Sequence, residues 1–155
     1  MATRTILQEG DKTLRTKSRE VIDFSPRLWQ LLDDMKETLS QADGVGLAAP
    51  QVGILRRVAI VWYNEELIEL VNPKITASEG EVLDSEGCLS VQKEGKGMVK
   101  RPKTVTVSYQ NRFGKAMTLT KEDWVARIIC HELDHLDGVL FIDRIEGAGE
   151  EKSEK

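Results

Sequence analysis

The sequence predicts an α+β fold in which antiparallel β-sheets pack around a late helix carrying HELDH, with an early amphipathic helix before them. Apolar residues recur at helical spacing in two segments, one early in the chain and one late. Between these segments lie short stretches rich in β-branched residues, and the connections are too short for crossover helices. Short connections favour antiparallel pairing.

The early helix is expected to begin at Ser25-Pro26, because serine is a preferred N-cap and proline suits the first helical position. Its apolar face consists of Leu28, Leu31, Leu32, Met35 and Leu39. The two glycines of DGVG (43–46) are expected to end it.

Strand character is found in five segments of the middle region. They are RRVAIVWY (56–63), ELIELVNP (66–73), the weaker KITASEGEVLD (74–84), KTVTVSYQ (103–110) and KAMTLT (115–120). A turn at Asn64-Glu65 separates the first two, and NRFG is a good hairpin loop between the last two.

The late helix is expected to start after Thr120, which can act as an N-cap with Asp123 three residues later in a capping-box-like arrangement. Gly138 is placed to end it. One stripe of this helix consists of Trp124, Ile128, His131 and His135.

Length and composition indicate one globular domain. The chain has 155 residues, of which 40% are hydrophobic and 31% charged, and this length fits one domain with an ordinary core. We expect residues 1–146 to form that domain and the polar, glycine-bearing tail 147–155 to be disordered.

Charge and hydropathy narrow the possible partners and location. The net charge of −4 offers no strongly basic face, so we expect no direct nucleic-acid site. No apolar run approaches the roughly 20 residues of a membrane-spanning helix, and the amino end lacks the apolar centre of a secretory signal. Two cysteines are too few for a disulfide scaffold, so we expect reduced thiols and a cytoplasmic location.

The histidines of HELDH have the spacing of a metal site. His131 and His135 are separated by about 6 Å of rise and about 40° of rotation on a helix, so both imidazoles can face one ion. Glu132 is rotated about 100° from His131, where it would flank the metal and move protons for a water. Asp134 and Asp137 are expected to face solvent, or to orient an imidazole. The alternative is that both histidines only pack or cap near a helix end.

A catalytic metal site usually takes three protein ligands, and the third is not another histidine here. The metzincin pattern would place a histidine at position 141, which is Phe141. Cys130 is rotated by about 100° from His131, so a buried structural role fits it better. Cys88 in SEGCLSV (85–91) is the remaining candidate, with a small core residue at a strand edge as the alternative.

Three motifs together resemble those of one enzyme family. GVGLAAPQ (44–51), EGCLS (86–90) and HELDH (131–135), in this order, resemble the motifs of peptide deformylases. The opening ILQEGDKTLR (6–15) is similar to that family's amino-terminal segment, so the resemblance covers about residues 5–145. Family members remove the formyl group from the N-terminal formylmethionine of new polypeptides and release formate.

The resemblance implies a metal centre with a general acid/base beside it. Cys88, His131 and His135 would hold one divalent ion, and Glu132 would be the general acid/base. The family commonly uses Fe(II), although a thiolate and two imidazoles also suit zinc, nickel or cobalt.

The resemblance also implies a substrate site. Gln51 and the backbone N–H of Leu89 would bind the formyl oxygen. The methionine pocket would be lined by Val45, Trp124 and Ile128, for which core packing is the alternative. Gly46 allows the backbone to pass close to the substrate.

The sequence departs from the family pattern after the cysteine motif and leaves other activities open. Gln92 stands where relatives commonly have proline, and KEGKG (93–97) is slightly longer than the usual loop. The implied partners are N-formylmethionyl peptides; a transient ribosome contact stays open, because the longer carboxy-terminal helix of some relatives is not evident. The alternatives are an amidase or peptidase for another acyl group, and a binding module with a structural metal.

Overall fold

The computed structural model describes residues 2–92 and 95–146 and confirms the predicted α+β fold. The disorder predicted for the tail 147–155 lies outside the described residues. Two α-helices in the described part are connected through antiparallel strands, with short 3-10 helices at Lys12–Arg15, Ala49–Val52 and Phe141–Arg144. In this part of the chain no helix combines the length and apolarity needed to cross a membrane.

The early helix, α1, runs from Pro26–Ala42 and so begins where the sequence predicts. Ser25 precedes it in an extended conformation, but its side chain makes no capping hydrogen bond. Asp43 ends the helix in a left-handed conformation at φ 57°, and its N–H bonds to the carbonyl oxygens of Leu39 and Ser40. The predicted apolar face is buried against β1 and β2 of the main sheet.

The strands are β1 (Gly46–Ala48), β2 (Val58–Tyr63), β3 (Glu66–Glu79), β4 (Val82–Glu86), β5 (Gly97–Arg101), β6 (Thr104–Gln110) and β7 (Ala116–Glu122). Five of them form one antiparallel sheet in the order β1-β2-β3-β6-β7. The other two, β4 and β5, form a separate antiparallel ribbon.

The strand predicted from 74–84 is not an independent element. β3 continues through Asn72-Pro73 to Glu79, and only the end of the predicted segment belongs to β4. Its register with β6 shifts between Val71 and Lys74, and Asn72 has a left-handed backbone at φ 52°. A bulge therefore bends this strand where the sequence suggested a break.

The capping role predicted for Thr120 is wrong. β7 continues to Glu122, and Thr120 pairs with Thr106 across the sheet, where their hydroxyls lie 2.9 Å apart. The late helix, α2, therefore spans Asp123–Leu136. It packs against β1 and β2 and carries HELDH in its last two turns.

Glycine is required just after α2. Gly138 has φ +76°, and a Cβ at this position would lie 2.5 Å from the carbonyl oxygen of Arg15. The chain can therefore turn away from α2 only because this residue has no side chain.

Candidate metal centre

The structure brings the three sulfur and nitrogen ligand candidates together. The donor atoms of Cys88, His131 and His135 all lie within 4.8 Å of one another. Cys88 follows the end of β4, and its Sγ lies 3.4 Å from Nε2 of His135 on α2. Both imidazoles are buried, and the thiol is half-buried. One thiol and two imidazoles are a donor set that fits a divalent zinc- or iron-type ion with a further position left open.

His131 is oriented by Glu86 at the end of β4. Its Nδ1 lies 2.9 Å from Oε1 of Glu86, so its Nε2 is the nitrogen left for a metal. Burial alone would raise the pKa of Glu86, but hydrogen bonds from His131 and Arg101 outweigh burial and lower this pKa to about 2. Glu86 is therefore a permanent anion beneath the ligand.

A carboxylate–arginine cluster, formed by Glu86, Arg101, Arg127, Asp134 and Arg144, supports this contact and is exposed only at Arg144. Arg101 donates two bonds to Glu86, at 2.8 and 3.0 Å, and one to Asp134 at 2.6 Å. Arg127 reaches Glu86 at 2.6 Å, and Arg144 bonds both oxygens of Asp134. The guanidinium of Arg101 is 4% exposed, so its charge depends on these partners.

This cluster was not predicted from the sequence. Asp134 was expected to face solvent or to orient an imidazole. It instead forms salt bridges with Arg101 and Arg144. The residue that orients an imidazole is Glu86, which lies inside EGCLS directly after β4. Arg127 could have been noticed, because it lies on α2 between the apolar residues Ala126 and Ile128, both of which are buried. A buried cation needs a buried partner of opposite charge.

Glu132 is buried beside the three ligand candidates. Burial raises its pKa to about 7, and its Oε1 has no hydrogen-bond partner among the described residues. A Cβ on Gly46 would lie 2.6 Å from Oε2, so glycine in β1 is what leaves room for this carboxylate. A carboxyl group with a pKa near neutrality can both accept and return a proton.

His135 is suited to act as a neutral ligand. Burial, together with the neighbouring His131, lowers its pKa well below the usual value. Its Nδ1 has no hydrogen-bond partner in the described part of the chain, in contrast with the same atom of His131.

Gln51 extends its amide toward the thiol. Its Oε1 accepts a hydrogen bond from the backbone N–H of Ala48 at 2.9 Å, which fixes the direction of the amide. Its Nε2 then lies 3.1 Å from Oγ of Ser90 and 3.6 Å from Sγ of Cys88. The peptide of Leu89 is held from the amino-terminal segment, since its carbonyl oxygen accepts a hydrogen bond from Gln8 at 3.0 Å.

The donor cluster opens into a cleft of about 430 Å³. Its apolar lining includes Val45, Trp124 and Ile128, with Gly46 between β1 and α2. Val45 is 36% and Trp124 38% exposed, so neither is a core residue, whereas Ile128 is buried. Another cleft, of about 480 Å³ and including Cys130 and Arg57, lies elsewhere and has no group of metal-ligating side chains among the described residues.

Comparison with known proteins gives a consistent result. The family model for polypeptide deformylase matches residues 3–151. A peptide deformylase of Caldicellulosiruptor bescii is 52% identical over 145 residues, which cover 94% of this chain and 87% of that protein. Peptide deformylase 1 of Clostridium acetobutylicum is 49% identical, with 94% and 96% covered.

Solved structures agree with the sequence relatives. The peptide deformylase from Thermotoga maritima superimposes with a TM-score of 0.91 at 37% identity, covering 94% of this chain and 99% of that one. A peptide deformylase from Acinetobacter baumannii bound to Met-Ala-Ser gives a TM-score of 0.89 at 34% identity, covering 93% and 100%. The predicted enzyme class and activity, removal of the formyl group from new polypeptides, are confirmed by this family match. This chain belongs to the polypeptide deformylase family.

Proposed function

We propose that Cys88, His131 and His135 hold one divalent metal ion, at which the formamide bond of N-formylmethionyl peptides is hydrolysed and formate is released. The observation that carries this proposal is the convergence of the three donor atoms within 4.8 Å, with Cys88 and His131 lining the cleft. The four-residue histidine spacing on α2 and the glutamate between them support a hydrolytic role over a purely structural one.

Proton transfer is assigned to Glu132. An ion held by the three ligands would lower the pKa of a water toward about 7 and polarise the carbonyl beside it. Glu132 would accept a proton from a water in the cleft at its unpartnered Oε1 and would deliver it to the departing amine nitrogen. Burial favours the neutral, proton-bearing form of Glu132 and so raises its pKa, which suits this residue to hold the proton between the two transfers.

Two donors of the chain are assigned to the formyl oxygen. The Gln51 amide, fixed by Ala48, and the backbone N–H of Leu89 would donate to the negative charge that develops on this oxygen. Loss of one such donor typically slows a reaction by roughly 100- to 1,000-fold.

The methionine side chain is assigned to the apolar part of the cleft. Val45, Trp124 and Ile128 offer it an apolar wall, and Gly46, which lines the same cleft, is assigned to the substrate backbone. The related Acinetobacter baumannii enzyme, which is bound to Met-Ala-Ser, supports a methionyl peptide as the ligand.

The metal, the domain and the location complete the proposal. We assign Fe(II) as the resident ion, with zinc, nickel or cobalt as substitutes that the same ligands accept. Residues 1–146 form a single catalytic domain, supported by the family match over 3–151. Its place of action is the cytoplasm, where it meets nascent chains.

The activity is tested by formate release from an anaerobically prepared, metal-loaded enzyme. Formyl-Met-Ala-Ser should be cleaved, whereas acetyl-Met-Ala-Ser should not, because the acetyl methyl group crowds the site built for a formyl hydrogen. Preference for the acetyl peptide would favour an amidase of another class and overturn the proposal. Equal, stable activity of aerobic and anaerobic preparations would count against iron.

A further inference from the structure

The active-site cleft carries charged side chains that the proposed chemistry does not use. Its charged lining residues are Asp43, Glu86, Lys96, Arg127 and Glu132. Glu86 and Arg127 neutralise each other across 2.6 Å, and Glu132 is assigned to proton transfer. Asp43 and Lys96 are left, and both are exposed.

Lys96 lies directly above the segment that carries the sulfur ligand. A Cβ on Gly87 would lie 3.4 Å from Cγ of Lys96 and 3.9 Å from its Cε, so the side chain runs over the residue before Cys88. Within residues 2–92 and 95–146, the ion pairs made by lysines are those of Lys100 and Lys121. Lys96 therefore lines the cleft, and its ammonium group makes no ion pair with a carboxylate of the described residues.

Asp43 belongs to a different wall of the same cleft. It ends α1 in a left-handed conformation that its N–H fixes by bonding to Leu39 and Ser40. The cleft therefore presents a cation on the wall of residues 86–89 and an anion on the wall of residues 43–46. Such a separation of charge can distinguish substrates by the side chains that lie near each wall.

We infer that Lys96 is a specificity-determining residue that favours an acidic side chain at one of the two substrate residues following formylmethionine. This inference rests on the proposed function, which places the formyl group at Cys88 and the methionine side chain against Val45 and Trp124. The next two residues then leave the cleft at about 3.3 Å each. The ammonium group, on a flexible four-carbon stem above Gly87, can reach their side chains.

The expected preference is modest, because the contact is exposed to water. Exposed ion pairs change equilibria by about two- to fivefold. A preference of this size should appear in KM and not in kcat, since Lys96 is assigned no contact with the reacting atoms. It should also shrink at high salt, because screening weakens exposed charge pairs.

The experiment compares kcat and KM of the metal-loaded enzyme for formyl-Met-Xaa-Ser and formyl-Met-Ala-Xaa, with Xaa as Glu, Gln or Lys. At one of the two positions Glu should exceed Gln in kcat/KM by about two- to fivefold, and Lys should fall below Gln. Equal values for the three side chains at both positions in the wild-type enzyme overturn the inference. This arm requires no variant, so a folding defect cannot obscure it.

Variants then assign the preference to one side chain. Lys96→Gln should abolish it, Lys96→Glu should reverse it, and Lys96→Arg should keep it. Lys115→Gln is the matched control, because it removes the same charge from the exposed β6–β7 hairpin. Loss of the preference in Lys115→Gln, or its survival in Lys96→Gln, overturns the assignment. Absence of formate from every peptide overturns the proposed function itself, whereas cleavage without charge preference overturns only this inference.

Discussion

The metal face of α2, which consists of His131, Glu132 and His135, differs from the carboxylate–arginine cluster beside it in the hydrogen bonding of its buried polar groups. In the cluster, Arg101 donates hydrogen bonds to both Glu86 and Asp134 at 2.6 to 3.0 Å. On the metal face, Oε1 of Glu132 and Nδ1 of His135 have no partner in the described chain; Oγ of Ser18 is the remaining such atom. Buried polar groups are ordinarily hydrogen-bonded, so the exceptions mark where a substrate, water or ion completes the structure.

The same contrast sets two buried glutamates apart. Glu86 has a pKa of about 2, because hydrogen bonds from His131 and Arg101 outweigh its burial. Glu132 has a pKa of about 7, because burial outweighs the attraction of nearby cations. One environment makes a carboxylate a fixed anion and the other makes it a proton carrier, so the assignment of roles follows from the neighbours.

The largest effect is expected from Glu132→Gln. The substitution keeps the size of the side chain but removes its capacity to carry a proton, so kcat should fall by about 100- to 10,000-fold. Metal content should stay at one ion per chain, because the three ligands are unchanged. Formate release and elemental analysis measure the two quantities, and Glu37→Gln on α1 is the control. A variant with full activity would show that Glu132, like Glu86, supports the structure and does not transfer a proton.

Glu86→Gln should act through stability and metal affinity instead. It leaves Arg101 and Arg127 buried without their shared anion, which is expected to cost about 3 kcal/mol of the free energy of unfolding. Metal affinity should fall by about 10- to 100-fold, because the ring of His131 exchanges a carboxylate acceptor for a neutral amide oxygen.

Urea unfolding and competition with a chelator measure these two effects of Glu86→Gln. Glu79→Gln, at the exposed end of β3, should leave both unchanged. An unchanged unfolding curve with Glu86→Gln would contradict the supporting role of the cluster.

Gly46→Ala tests how little space is left between β1 and the side chain of Glu132. The added Cβ would lie 2.6 Å from Oε2 of Glu132 and 2.8 Å from Cγ2 of Ile128, so the carboxylate must move. A displacement of about 1 Å can cost up to roughly 100-fold in rate, and we expect a fall of that order in kcat with the metal retained. At Gly87 the nearest atom to an added Cβ is 3.4 Å away, so Gly87→Ala should stay close to wild type. Equal losses in both variants would show that the space beside Glu132 is not critical.

The sequence predicted the elements whose signals are local. Ser25-Pro26 marked the start of α1. The four-residue spacing of the histidines predicted a helix, and both histidines lie on α2. Thr120 misled because its capping pattern is also local, whereas its pairing with Thr106 across the sheet decides its conformation. Asn72-Pro73 suggested the end of a strand for the same reason. The strand instead passes through a bulge at these residues and continues to pair with β6.

The carboxylate–arginine cluster could not be predicted because its contacts are long-range. Glu86 meets Arg101 at a separation of 15 residues and Arg127 at 41. No periodicity relates these positions, and only folding brings the end of β4 against β5 and α2. The candidate ligands Cys88 and His135 are equally distant in sequence, 47 residues apart, but their chemistry and their motifs are distinctive enough to be recognised one by one.

The smallest effect is expected at an ion pair outside both regions. Asp34 on α1 accepts hydrogen bonds from the backbone N–H of Ala2, from Gln30 and from Arg4. Burial raises its pKa, but these bonds prevail and lower it below 3.8, so the folded state binds this proton less readily than the unfolded state. The stabilisation is therefore present above about pH 3.8 and is lost as pH falls through the lower, folded-state pKa.

Asp34→Asn should reduce the free energy of unfolding at pH 7 by about 1 kcal/mol and should flatten its decline below pH 4. Urea midpoints at several pH values measure this, with kcat at pH 7 unchanged because Asp34 contacts neither the cluster nor the metal face. A loss of activity in this variant would mean that α1 is coupled to the metal face more tightly than the contacts of Asp34 indicate.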